Sequence, residues 1–104
     1  MGEHPGSPKS GKEFWALLGE RQQAQMEVLF ERFTQQGYIS NPEHFKKLAG
    51  TDLWEFKRFQ VRLICCMKGR DAVICLGIIK KQDRHKSSDL ERAAAICAAD
   101  RRKH

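Results

Sequence analysis

The period of the apolar positions changes near the middle of the chain. Between residues 20 and 36, Met26, Leu29, Phe30 and Phe33 recur at helical spacing among Arg21, Gln25, Glu31 and Gln35. That spacing predicts an amphipathic helix, and Gly37 stands where its C-terminal cap belongs. Upstream, Phe14, Trp15, Leu17 and Leu18 predict a shorter helix that stops at Gly19. Its start has two candidates: Ser7 as N-cap with Pro8 behind it, or Ser10 with Glu13 as a capping box. Residues 1–7, polar and rich in glycine and proline, read as a flexible tail ahead of a single domain over 8–104.

Past Gly37 the signal weakens, then turns to alternation. Ser40-Asn41-Pro42-Glu43 can start one helical turn, and residues 45–48 either continue it or approach a sheet in extended form. Residues 53–58, 61–67 and 72–79 are β-type runs separated by short turns, which predicts an antiparallel meander. After a polar loop, Ser88 and Glu91 open an alanine-rich helix with Leu90, Ala94 and Cys97 inward. It ends near Asp100, and Arg101-Arg102-Lys103 suit a helix C-terminus. The expected fold is α+β: an N-terminal helical hairpin packed on a small meander sheet, closed by a C-terminal helix.

Alternation also sorts the strand side chains. With Lys57 opposite Arg62, Trp54, Phe56, Leu63 and Cys65 share one face and pack on helices. Glu55, Lys57, Arg62, Ile64 and Cys66 share the other. Carried on into the third strand, this register sets Gly77 beside Arg62, with Cys75 and Ile79 on that side and Lys81 just beyond. The glycine would leave room above a cluster of Lys57, Arg62 and Lys81 around Glu55. Cations on opposed strand positions repel unless something negative lies between them. Glu55 itself can neutralise them, or a phosphate can.

Composition narrows the choice of partner. The 104 residues are 40% hydrophobic and 31% charged, with a net charge of +6 and a pI of about 9.4. One modest core and a polyanionic partner fit such totals, as does a solvated basic surface. No stretch approaches the roughly 18 apolar residues of a membrane span, and no signal peptide precedes the domain, so a cytoplasmic protein is expected. Cys65, Cys66, Cys75 and Cys97 include no C-x-x-C pair, and the first two point to opposite sides of a strand. They are expected to be reduced thiols acting as small hydrophobes, with neither a disulfide nor a metal site, and no cofactor is indicated.

RNA cleavage needs a base for the 2′-hydroxyl, positive charge on the phosphorane and an acid for the leaving oxygen. Arg62 and Lys81 can supply charge. Glu55 can act as base or hold Lys57, and a lysine crowded by cations can itself take the proton. His85, in the loop after the third strand, is the histidine near this site, or else an exposed loop residue beside Arg84 and Lys86. Lys46, Lys47, Arg58, Lys80, Arg84 and Lys86 are candidate RNA contacts around it.

Four segments in order carry a resemblance: Phe45-Lys46-Lys47-Leu48-Ala49-Gly50, Leu53-Trp54-Glu55-Phe56-Lys57, Val61-Arg62-Leu63 and Gly77-Ile78-Ile79-Lys80-Lys81. Over residues 8–100 the chain resembles the phage-derived HigB-like branch of the RelE/HigB toxin superfamily. The resemblance implies a toxin of a type II toxin–antitoxin pair, commonly an endonuclease cutting mRNA on the ribosome. It also implies a cognate antitoxin in a hetero-oligomer, with Glu55, Lys57, Arg62 and Lys81 as site residues. The chain departs from the family in three places. Residues before Pro8 are too few and too polar for the family's usual first strand, so the sheet is smaller or that strand short. The third strand ends Leu76-Gly77-Ile78-Ile79 in place of an aromatic or histidine, and no tyrosine follows. Two other readings remain: a non-catalytic RNA-binding module of α-β-β-β-α order, which recognises RNA by shape, or a decayed toxin that only binds its antitoxin.

Overall fold

A computed structural model of the chain describes residues 9–80 and 84–102. Its elements are β1 (Lys9–Ser10), α1 (Gly11–Leu17), α2 (Glu20–Gln36), β2 (Phe45–Lys47), β3 (Leu53–Arg58), β4 (Val61–Lys68), β5 (Asp71–Ile79) and α3 (Ser87–Arg102). The strands form one antiparallel sheet in the order β1-β5-β4-β3-β2. The expected α+β architecture holds, with the meander β3-β4-β5 at its centre and a short strand added at each edge.

Both edge strands settle choices that periodicity left open. Lys9 and Ser10 pair with Gly77 and Leu76, so a strand does precede the helical hairpin, and it is two residues long. The helix behind it starts at Gly11 with Ser10 at the N-cap, the second of the two candidate starts. At the other edge, Asn41 Oδ1 accepts from the Glu43 amide at 2.9 Å, and the His44 and Phe45 amides return to the Asn41 carbonyl. That single turn uses up the helical signal, and Phe45 enters β2 opposite Phe56.

α1 and α2 cover one face of the sheet. α2 presents Met26, Leu29 and Phe33 to it, as the spacing predicts, and ends at Gly37 with φ +79°, a left-handed cap that glycine adopts without steric cost. Phe33 and Phe30 meet Phe56 edge-on at 5.5 and 5.3 Å between ring centroids. Phe56 is almost fully buried, worth about 2–3 kcal/mol of apolar transfer. α3 covers the opposite face, where Ala93 and Cys97 pack against Ile64, Cys66, Leu76 and Ile78.

Two expectations fail here. Cys66 and Cys97 form a disulfide across the sheet–α3 contact, whereas four thiols were expected. Sequence spacing is silent on this pair because 31 residues separate them and only the docking of α3 brings them together. The second failure is register. The turn after Lys68 pairs it with Asp71, and an unbroken ladder from that pair would set Arg62 against Gly77. A β-bulge after Ile64 adds one residue to β5, so Arg62 faces Ile78 and Leu63 faces Gly77. Gly77 therefore lies on the α1 face, where an added Cβ would fall 2.0 Å from the Phe14 ring. It makes room for Phe14 and none above Arg62. Ile79 moves to the helical-hairpin core with it, while Cys75, the extra residue, stays on the α3 side.

Candidate functional site

The β3–β4 pairing is the expected one, with Lys57 opposite Arg62 and Glu55 opposite Ile64. On the outer side of β3, β2 sets Lys46 opposite Glu55. Directly paired residues share a face, so Lys46, Glu55, Lys57 and Arg62 all stand on the α3 side of the sheet.

The site is closed over, contrary to the expected vacant patch of sheet. Glu55 is fully buried and Arg62 is 4% exposed. The cover is His85. Its Nε2 makes a close contact with Glu55 Oε2, and its side chain is 2% exposed. Lys80 secures this arrangement from behind, because its Nζ donates to the carbonyl of Arg84, the residue before His85. Among the described residues, Glu55 Oε1 and His85 Nδ1 have no hydrogen-bond partner. With the carboxylate ionised and the imidazole neutral, Nε2 donates to it and Nδ1 is left as an acceptor. The pair is thus a carboxylate-oriented imidazole, the arrangement general acid–base chemistry uses.

Arg62 is anchored as well as buried. Its Nη1 donates to the Phe59 carbonyl and, at 3.3 Å, to the Val61 carbonyl, which ties the guanidinium to the β3–β4 turn. The remaining cations divide by strand parity. Lys47, opposite Trp54, lies on the other face from Lys46. Arg58 also points away from the cluster, contacting His44 Nε2 through Nη1 at 3.1 Å and covering the Phe59 ring at 4.8 Å. Arg84 and Lys86 are exposed on either side of His85. Lys81 lies outside the described residues.

Burial, then the positive charge of Arg58, pushes the His44 imidazole below its ordinary range. Burial also pushes the Cys65 thiol up to about 12 and raises that of Cys75, so neither is poised as a nucleophile. Two surface clefts, one of about 810 Å³ beside the end of α2 and one of about 560 Å³ beside α3, are not lined by Glu55, Lys57, Arg62 or His85. Among the described residues no helix is long and apolar enough to cross a membrane.

Three features escaped the pattern analysis: the disulfide, the backbone anchoring of Arg62, and Phe59 at the turn. Only Phe59 left a sequence signal, since a bulky residue stands in a two-residue hairpin loop where glycine or asparagine is usual.

Fold and site together define a small basic α+β domain with a buried acid–imidazole pair among cations on one face of its sheet. A family model described as phage-derived protein Gp49-like matches residues 13–103, and the chain belongs to that family. Neither the curated proteins nor the solved structures yielded a match.

Proposed function

We propose that this chain is the toxin of a toxin–antitoxin pair, cutting mRNA on the ribosome without a metal through in-line attack of the 2′-hydroxyl. Its family is associated with toxin–antitoxin systems. The segments that resemble the HigB-like branch include β2, the start of β3 and the start of β4, which carry Lys46, Glu55, Lys57 and Arg62.

The observation that carries the reading is the Glu55–His85 pair, two residues along β3 from the Lys57–Arg62 pair. In this mechanism Glu55 is a positioning residue that fixes the imidazole, and His85 Nδ1 takes the 2′-hydroxyl proton. Arg62 and Lys57 balance charge on the phosphorane, and Lys81 gives a proton to the leaving 5′-oxygen. Lys46, Lys80, Arg84 and Lys86 hold flanking phosphates, with Lys47 and Arg58 extending the basic surface. A ribosomal target places the protein in the cytoplasm. The matching partner is an antitoxin with an acidic segment that covers the cationic face in a hetero-oligomer.

A second reading is favoured by burial. Arg62 and His85 are almost wholly enclosed, as they would be if the cluster were structural and the chain only bound RNA or an antitoxin. Induced expression with mapping of mRNA 5′ ends separates the two. Cutting predicts growth arrest and new 5′ ends, both lost in folded Arg62→Ala and His85→Ala variants. New ends that persist in both variants, or that never arise, refute the nuclease reading. A shape-reading RNA module would instead respond most to charge reversal at Lys80 and Lys86.

A further inference from the structure

The turn between β3 and β4 contains an aromatic residue that the proposed chemistry leaves unused. Arg58 and Val61 pair directly, so Phe59 and Gln60 alone reverse the chain. Phe59 sits at φ +53°, the only positive φ outside glycine among the described residues. A large L side chain is strained in that region, and glycine or asparagine would relieve it. Burial does not offset the strain, because Phe59 is 68% exposed. Such a conformation persists where its surroundings over-determine it, and it clusters at sites that bind or react.

The surroundings here are cationic. The Arg58 guanidinium carbon lies 4.8 Å from the ring centroid, and its Nη1 is itself held by His44 Nε2 at 3.1 Å. From the other side of the turn, Arg62 Nη1 donates to the carbonyl of Phe59. The residue therefore joins the buried cluster to the solvent: its backbone anchors Arg62, and its ring is held out beside a second arginine. Arg58 and Gln60 flank it in the chain and Arg62 holds its carbonyl, so cationic and polar residues adjoin the exposed ring. An exposed aromatic face next to arginines is the composition that grips single-stranded RNA, with rings stacking on bases and guanidinium groups following the backbone.

We infer that Phe59 is a base-stacking residue that positions an unpaired mRNA nucleotide beside the Lys57–Arg62 pair. This rests on the RNA-cutting reading above and adds a specificity residue to it. Stacking tolerates any flat base, so the ring sets where the strand lies, and its loss weakens cutting at every site.

The test is expression of the full chain in bacterial cells with 5′-end mapping, for wild type and for Phe59→Leu, Phe59→Gly and Phe59→Trp. Cleavage is expected to fall about tenfold in the leucine and glycine variants and to stay within about twofold of wild type in the tryptophan variant. Purified Phe59→Gly is expected to melt at or above the wild-type temperature, since the strain is gone, which separates lost stacking from lost folding. Wild-type cleavage with an unchanged pattern and frequency in Phe59→Leu overturns this inference and leaves the nuclease reading standing. Absence of new 5′ ends in wild type overturns both. If Phe59→Leu cuts like wild type but is no longer neutralised by the antitoxin, the ring is a protein contact and the inference is wrong.

Discussion

Glu55 and His85 stand 30 residues apart in the chain, yet their side chains meet inside the protein, where the imidazole covers the carboxylate. β3 delivers the acid at mid-sheet and the segment leading into α3 delivers the base. Each makes the burial of the other tolerable, since an unpartnered carboxylate buried there would be expensive.

Removing one member should therefore hurt more than removing both. His85→Ala is expected to destabilise the fold by about 3 kcal/mol because it strands a buried carboxylate. Urea melts of His85→Ala, Glu55→Ala and the double variant should reveal a coupling of at least about 1 kcal/mol. Additive losses would show that the two side chains do not support each other.

Gly77 should not accept a side chain. A Cβ there would collide with the Phe14 ring at 2.0 Å, and Phe14 is buried between α1 and β5. Gly77→Ala is expected to lose about 1–3 kcal/mol by thermal melting, the usual range for overpacking. Pairing it with Phe14→Leu should recover part of that loss, whereas no recovery would place the strain elsewhere.

The Cys66–Cys97 bridge closes a 31-residue separation between β4 and α3. By the chain-entropy relation such a crosslink stabilises the folded state by about 3–4 kcal/mol. Oxidised protein should therefore melt well above protein held in excess dithiothreitol, and Cys97→Ser should melt at one temperature in both conditions. In a reducing cytoplasm the pair would be thiols, and α3 would be held by the packing of Leu90, Ala93, Ile96 and Cys97 on the sheet together with the Lys68–Asp100 and Arg101–Met67 contacts.

Acid should weaken the fold through His44. Burial and Arg58 lower its folded pKa beneath the ordinary 6.5. The unfolded chain then binds the proton more readily, so this contribution is complete above pH 6.5 and declines as pH falls through the folded value. Urea midpoints should drop between pH 8 and pH 5 by more in wild type than in His44→Gln. Equal drops would remove His44 from the account.

Much of this molecule is legible from local pattern, and the limit of legibility has a specific place. The helical period of Met26, Leu29, Phe30 and Phe33 and the alternation through Trp54 to Phe56 report directly which side of an element meets the core. The Lys57–Arg62 pairing follows from a two-residue turn, so it too was readable. The placement of Gly77 was not. One extra residue in β5 reverses every face beyond it, and a bulge leaves no composition signal among apolar residues.

By itself the amino-acid order determined the α+β layout, the meander, the opposed Lys57 and Arg62, and the excess of positive charge. These depend on neighbours a few positions apart, where period and turn length act. Tertiary packing decided the rest: that α3 packs on the sheet face that carries the acidic and basic side chains, that His85 reaches Glu55, that Cys66 meets Cys97, and that Phe14 occupies the space over Gly77. Each is a contact between segments far apart in the chain, set by how whole faces fit together, and no local spacing encodes that fit.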